Sequence, residues 1–430
     1  MRAVTEPTAT PLLEPRDGVP PVVSDQQALL RAADALAAGA GPVAVDAERA
    51  SGYRYGQAAY LVQLRREGAG TFLVDPVSCP DLSPIGRAID GEEWVLHAAG
   101  QDLPCLAGVG LRPTRLFDTE LGARLAGLPR VGLGAVVEQL LGLSLAKEHS
   151  AVDWSTRPLP ESWLRYAALD VEVLIDLRNA LADLLHDQGK LEWAAQEFAA
   201  IAAAPTPSPR VDPWRRTSGV HRLRSRRQLA LVRELWRTRD ALARKRDLSP
   251  GRLLPDAAVV EAAAASPRSV DELLRLPGFR GPAGRRHAKV WLEALARGRH
   301  VPDEDLPPHS LPSDGPPPPR AWADRDPDAA ARLAFARAAL TDLSERCGVP
   351  VENLLTPDTV RRLMWSPPLP EALDATLTAY GARPWQIELV GPVLREALAE
   401  TAATRTEPER AASATSPPSP TAAPVDVTAE

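Results

Sequence analysis

The chain has little of what would place it outside the cell or within a membrane. Its 430 residues include only three cysteines, Cys79, Cys105 and Cys347. An odd number without metal-type spacing excludes a disulfide framework and a cysteine-based zinc site, and fits buried or incidental thiols in a reducing cytoplasm. No apolar run approaches the ~20 residues that a membrane helix requires. The stretch up to Val23 lacks the continuous apolar segment of a secretory signal. A phosphate-cradling glycine loop is also missing, because Gly132-Leu133-Gly134 lacks the strand-to-helix context of a P-loop or dinucleotide fingerprint. Positive charge is in deficit overall: 50 Lys and Arg face 56 Asp and Glu, for a net charge of −6. Taken as a total, that argues against a polyanionic partner. Its distribution argues the reverse.

Tyr166-Ala167-Ala168-Leu169-Asp170 lies in a helical run expected over 161–185. Tyr166 and Asp170 are four residues apart and share one helix face. Leu169, Val173, Leu174 and Leu177 make the rest of that face apolar, so it packs inward. Upstream, Asp46 and Glu48 close the short β-rich run that begins at Val43, and a spacing of two puts both on one face of a strand. Asp102 follows His97 near the start of another helix. Alone, each piece has an ordinary explanation: a solvated turn, a favourable charge against a helix dipole, a core tyrosine beside a surface aspartate. Together they amount to four carboxylates and a tyrosine in three segments, which is the donor set that a pair of divalent metal ions needs. Hard cations such as Mg2+ or Mn2+ take oxygen ligands, which explains carboxylates in place of His or Cys.

In that order and context the residues resemble the ribonuclease D family, of the DEDD superfamily of 3′–5′ exonucleases. Asp46 and Glu48 match its first motif, Asp102 its second, and Tyr166 with Asp170 its third, in the branch that carries tyrosine. The resemblance extends over roughly residues 25–200. It takes in Tyr60-Leu61-Val62-Gln63-Leu64, Phe72-Leu73-Val74-Asp75-Pro76 and Phe117-Asp118-Thr119. It also takes in the loop with Lys147, Asp153-Trp154 and Arg157-Pro158-Leu159. Arg49 departs from the pattern, standing where relatives often carry an apolar or aromatic residue. The resemblance implies a ribonuclease H-like α/β core. It also implies that Asp46 bridges two ions, that Glu48 and Asp170 complete the nucleophile-side ion, that Asp102 holds the other, and that Tyr166 orients the attacking water. Of the two histidines near these motifs, His97 reads as a core residue in a strand, and His149 lies in the polar loop before the third motif.

The pattern divides the chain into an unstructured start over 1–24, an exonuclease domain over 25–205 and a linker over 206–219. The expected strands are 43–46, 60–64, 71–74 and 94–97, the first three antiparallel. The expected helices are 80–89, 103–109, 119–125, 133–141 and 161–185. Residues 220–302 are helical and resemble an HRDC domain, the nucleic-acid module found in RNase D and RecQ-type helicases. A Pro-rich linker at 303–321 leads to 322–400, a second HRDC-like domain. There Asn353-Leu354-Leu355-Thr356-Pro357-Asp358 echoes Arg252-Leu253-Leu254-Pro255-Asp256. The tail 401–430 lacks a hydrophobic pattern and is expected to be disordered.

Between 210 and 247 thirteen Arg or Lys face four acids. Clustered cations of this kind release counterions from nucleic acid, and Arg222, Arg224, Arg226 and Arg227 are the expected phosphate contacts. The expected partner is RNA at its 3′ end, with single-stranded DNA as the alternative; no membrane is expected, and protein partners are left open. The expected activity is trimming of structured RNA such as tRNA precursors to release nucleoside 5′-monophosphates. Its rivals are a 3′–5′ exodeoxyribonuclease and a non-catalytic nucleic-acid-binding scaffold.

Overall fold

Strand β1 (Thr10–Leu12) and strand β2 (Val22–Val23) fall in the stretch expected to be unstructured. In the computed structural model, residues 9–145, 151–205, 208, 210–311 and 314–413 are described. Lys147 and His149 lie outside the described residues, as do most of the segment 206–209 and the tail from 414. Helix α1 (Gln26–Ala38) is capped by Asp25, whose carboxylate accepts from Ala28 N at 2.8 Å. Its Leu29, Ala32, Ala33 and Leu36 recur at helical spacing and are buried.

There follow β3 (Ala40–Arg49), β4 (Ala59–Glu67), β5 (Gly70–Val74) and helix α2 (Ser83–Ala88). Next come β6 (Glu93–Leu96), α3 (Leu103–Gly108), β7 (Arg115–Asp118), α4 (Thr119–Leu125), α5 (Leu133–Leu141) and β8 (Leu143–Leu145). Six strands form one sheet in the order β2-β5-β4-β3-β6-β7. β3, β4 and β5 are antiparallel neighbours, as expected, whereas β6 and β7 run parallel to β3. Val43, Ala44 and Val45 are fully buried, because β3 lies at the centre of the sheet with packing on both faces.

β1 pairs with β8 and β2 with β5. Strands of two or three residues with partners more than fifty residues away leave no periodic signal, which is why the start of the chain reads as unstructured. The expected helix over 161–185 is two helices, α6 (Glu161–Glu172) and α7 (Leu174–Asp187), meeting at Val173. β-Branched Val171 and Val173 crowd a helix. The two pieces also serve different surfaces, α6 packing on β3, β4 and β5 and α7 on α4, α5 and β6. α8 (Leu191–Ala203) closes the domain against β7.

The helical region that follows starts earlier than expected. Trp214, placed by sequence in a linker, is 2 % exposed inside the hydrophobic core formed with Leu235, Val259, Phe279 and Trp291. Burial of an aromatic of this size contributes on the order of 3 kcal/mol. The helices are α9 (Arg226–Arg246), α10 (Pro250–Leu253), α11 (Asp256–Ala265), α12 (Val270–Arg275), α13 (Pro282–Arg286) and α14 (Ala288–His300). α9 opens on a capping box, with Ser225 and Gln228 each satisfying the other's backbone N–H.

The chain divides into two units, Met1–Pro312 and Ser313–Glu430. The second holds α15 (Trp322–Arg325), α16 (Pro327–Cys347), α17 (Val351–Leu354), α18 (Pro357–Trp365), α19 (Leu373–Ala379) and α20 (Pro384–Ser413). First residues 226, 250 and 256 of α9, α10 and α11 become 327, 351 and 357 in α16, α17 and α18, a constant offset of 101. The internal repeat read from sequence is therefore a repeat of helix order. The stretch before α15 is anchored in its own unit, since Trp322 Nε1 donates to Pro317 O at 2.8 Å and its ring packs on Trp365. α20 carries on past the expected boundary at 401, in Ala-rich sequence of high helix propensity. Among the described residues no helix is long and apolar enough to cross a membrane.

Candidate active site

Alternation along β3 puts Val45 and Ala47 into the core and sends Asp46 and Glu48 off together on the other face. Asp170 on α6 meets them. Carboxylate oxygens of Asp46, Glu48 and Asp170 all lie within 4.8 Å of one another. Tyr166, one turn earlier on α6, hydrogen-bonds Asp170 through its hydroxyl. The Tyr166 ring sits 6.5 Å from the fully buried ring of Trp154. Trp154 belongs to the loop before α6, which Arg157 fixes: its guanidinium forks onto Asp75 at 2.7 and 2.9 Å and donates to Tyr60 O and Trp154 O.

Asp102 lines the same cavity, of about 540 Å³, but is turned to another partner. Its Oδ1 is 3.3 Å from Arg49 Nη2, and its side chain makes no capping bond to α3. The reading of Asp102 as a mere helix-end charge is thereby replaced. Arg49 meets Asp102 just where the β3–β4 register shifts, between Glu48 and Arg49 with Tyr60 of β4 left unpaired in the ladder, a local irregularity of the kind that strands show next to functional sites.

Asp118, read in sequence only as part of a link, sets the turn from which Asp102 projects. It accepts from the backbone N–H groups of Ala98 and Ala99 at 3.0 and 2.8 Å while capping α4 through Glu120 and Leu121. Ala98 is thereby held in the left-handed region at φ 59°. An Asp immediately before a helix is the sequence signal for such a cap.

His97 was expected inside a strand. β6 ends at Leu96, and His97 lines the cavity. Thr119 Oγ1 donates to Leu96 O at 3.1 Å, so it accepts from His97 Nδ1–H at 2.9 Å. Burial pushes the His97 pKa down to about 4, and the ring is neutral at neutral pH.

The acids are strained electrostatically. Burial pushes Asp46 up to about 6, against a backbone hydrogen bond from Ala47 and the charge of Arg49. Burial, with Asp46, Asp170 and Asp102 nearby, pushes Glu48 to about 10. Asp102 rises to about 8 through burial and Asp46, with Arg49 opposing. Asp170 is raised well above the carboxylate range by burial and Asp46, and burial with Asp170 keeps the Tyr166 phenol protonated. Four acids so placed cannot all ionise without compensating positive charge. An all-oxygen donor set of this kind fits a hard divalent cation.

The structure divides the four arginines expected to bind phosphate. Arg222 and Arg224 are exposed. Arg226 is exposed as well but donates to Leu306 O and Pro307 O, and the partly buried Arg227 donates to Arg299 O and Val301 O with Asp303 as ion-pair partner. These two tie the start of α9 to the end of α14 and the chain beyond it. Their partners lie more than seventy residues away and carry no local signal.

Three family models match the chain: a 3′–5′ exonuclease over residues 21–186, an HRDC domain over 228–295, and a 3′ to 5′ exonuclease C-terminal domain over 315–398. The last covers most of the region read from sequence as a second HRDC-like domain. Ribonuclease D of Gluconacetobacter diazotrophicus is 35% identical over 286 residues, 64% of this chain and 71% of that one. Ribonuclease D of Escherichia coli is 32% identical over 274 residues, 62% and 71% of the two chains. A solved protein from Bifidobacterium adolescentis superposes with a TM-score of 0.83 at 36% identity, covering 90% of this chain and 99% of that one. The structure of E. coli RNase D, described as an exoribonuclease involved in structured RNA processing, gives 0.65 at 27% identity over 88% and 98%. The exonuclease fold with its acid cluster implies dependence on a divalent metal.

Proposed function

The chain belongs to the ribonuclease D family of 3′–5′ exoribonucleases, and on that footing we propose that it trims the 3′ tails of structured RNA, such as tRNA precursors, through two Mg2+ or Mn2+ ions, releasing nucleoside 5′-monophosphates. The observation that carries the reading is the convergence of Asp46, Glu48 and Asp170 on the cavity that Asp102 and Tyr166 also line. A pair of divalent ions held there would stabilise both the attacking and the leaving oxygen of an in-line displacement. Asp46, central in the cluster, is the carboxylate both ions would share. Glu48 and Asp170 would hold the ion on the nucleophile side and Asp102 the other.

Tyr166 keeps its proton, so it positions the attacking water through its hydroxyl and does not act as the base. The tie to Asp170 fixes where that hydroxyl points. Arg222 and Arg224, exposed at the edge of the HRDC region, offer phosphate contacts along the body of a longer substrate.

Matched single-stranded RNA and DNA, each 5′-labelled, test this reading in Mg2+ and in Mn2+. The expected result is a ladder shortening from the 3′ end of the RNA, with nucleoside 5′-monophosphates as product and DNA degraded more slowly for want of its 2′-OH. Equal rates on both polymers would make the enzyme a general 3′–5′ exonuclease, and products carrying a 3′-phosphate would remove the proposed hydrolysis.

A further inference from the structure

Arg49 is the one cation lining the acid cavity among the described residues. It stands at the register shift that follows Glu48, and its Nη2 meets Asp102 Oδ1 at 3.3 Å. The two side chains are 26% and 8% exposed, so the pair is far less screened by solvent than a surface ion pair. An arginine cannot leave such a pair by losing its proton. It leaves when a divalent ion takes the carboxylate or when another anion offers the guanidinium a better partner. A guanidinium fork matches phosphate oxygens, and the cavity is where a terminal phosphodiester must enter to reach Asp46 and Glu48.

We propose that Arg49 is a latch on Asp102: it competes with a divalent ion for that carboxylate until an RNA phosphate draws the guanidinium away, so that binding of the second ion and binding of RNA are coupled. The inference rests on the two-ion reading above. Two consequences follow from thermodynamic linkage. RNA tightens the ion at Asp102, and that ion tightens RNA by the same factor. Part of this coupling resides in Arg49, which makes it a positioning residue for the reaction.

Mn2+ titration of the full-length protein, read by loss of the free-ion paramagnetic resonance signal, tests the latch without measuring turnover. The titration is run with and without a short RNA carrying a cleavage-resistant phosphorothioate at its terminal linkage. Wild type should bind two ions of unequal affinity. Arg49→Ala should tighten the weaker ion by about tenfold or more, the size expected for removing a half-buried charge a few ångströms away. With RNA present the two proteins should converge. Arg49→Lys, which keeps the charge, should stay near wild type, and melting curves establish that each variant is folded.

Equal affinities for wild type and Arg49→Ala in the absence of RNA would overturn the latch. So would a gap that RNA leaves undiminished. The same tightening of the remaining ion in an Asp102→Asn background would reduce Arg49 to a general field effect and overturn the competition. Binding of fewer than two ions by wild type, with and without RNA, is a different failure: the two-ion reading falls, and the latch with it.

Discussion

Tyr55, in the loop that leaves β3 a few residues beyond Glu48, donates a hydrogen bond of 3.0 Å from its hydroxyl to Asp240 Oδ1 on α9. Arg244 donates to the same hydroxyl at 3.0 Å. Tyr55 N donates to Asp247 at 3.2 Å, Ser249 N donates to Tyr53 O at 2.9 Å, and the Arg252 guanidinium lies 4.1 Å from the centre of the Tyr53 ring. The loop that follows β3, the strand bearing Asp46 and Glu48, is therefore gripped by the HRDC helices. The two regions belong to one unit.

A protein ending at 205 keeps the sheet and all five site residues but loses every one of those partners. It should still shorten oligonucleotides of a few residues and should lose activity on tRNA-like substrates. Amide exchange should speed up in the 50–58 loop, by roughly five- to tenfold per lost hydrogen bond of about 1 kcal/mol. Unchanged exchange together with equal activity on both substrates would reduce the C-terminal half to a spacer.

The four arginines should separate into two pairs. Arg222→Ser with Arg224→Ser should weaken RNA binding whatever the base sequence and flatten the salt dependence of log affinity by roughly 0.7 per lost contact on single strands. Stability should hardly change. Arg227→Ser should leave that slope alone and destabilise the fold by about 1–3 kcal/mol, because backbone carbonyls at the end of α14 lose a charged donor. Salt-series binding and melting of the two variants tell the roles apart, and a flattened slope for Arg227→Ser would reverse the assignment.

What was legible in the sequence was whatever spacing encodes. Asp46 with Glu48, and Tyr166 with Asp170, share faces by the periods of a strand and a helix, and the structure brings three of these carboxylates together. The helices at 119–125 and 133–141 were read to the residue, whereas the strands expected at 43–46 and 60–64 were placed correctly but run longer, as Ala40–Arg49 and Ala59–Glu67. Three-dimensional partners were not legible. Arg49 meets Asp102 at a register shift of β3 against β4 that no spacing in the sequence announces. Trp214 looked like linker because the core it enters is assembled from four later helices. Arg226 and Arg227 looked like phosphate ligands because a charge run is the same string of letters whether it faces RNA or a carbonyl.

The raised carboxyls fix the sign of a pH effect. A carboxyl whose folded pKa lies above its unfolded value, near 4, favours folding while protonated, and that contribution is lost as pH rises through the folded value. For Asp46, Asp102 and Glu48 those values are about 6, 8 and 10. In chelator the melting temperature should therefore fall by a few degrees between pH 6 and pH 9. Mn2+ should raise it more at pH 9 than at pH 6, because the ion displaces protons at the lower pH. A metal-induced gain that is the same at both values would contradict ligation by these acids.

Tyr166→Phe removes the hydroxyl proposed to direct the attacking water and leaves the ring against Trp154. Single-turnover cleavage should slow by about tenfold to a hundredfold, within the usual range for a positioned polar group. RNA affinity and Mn2+ binding should stay within twofold of wild type, on the scale of a lost neutral hydrogen bond or less. Weakened RNA binding with an unchanged single-turnover rate would mean that the hydroxyl holds substrate.

The central claim is that the acid cluster performs hydrolysis from the 3′ end, and single-turnover cleavage of a 5′-labelled RNA by Asp46→Asn and Asp170→Asn tests it most directly. Each amide keeps the shape of the side chain and removes the charge proposed to hold an ion in the cluster of Asp46, Glu48 and Asp170. Both variants should remain folded, with melting temperatures in chelator at or above wild type, because each loses a buried acid held above its ordinary pKa. Both should lose cleavage by roughly a thousandfold or more, as expected when a metal-bridging carboxylate is removed. Retention of more than about a tenth of the wild-type rate in a folded Asp46→Asn protein would contradict the account, since a two-ion site cannot lose its shared ligand so cheaply.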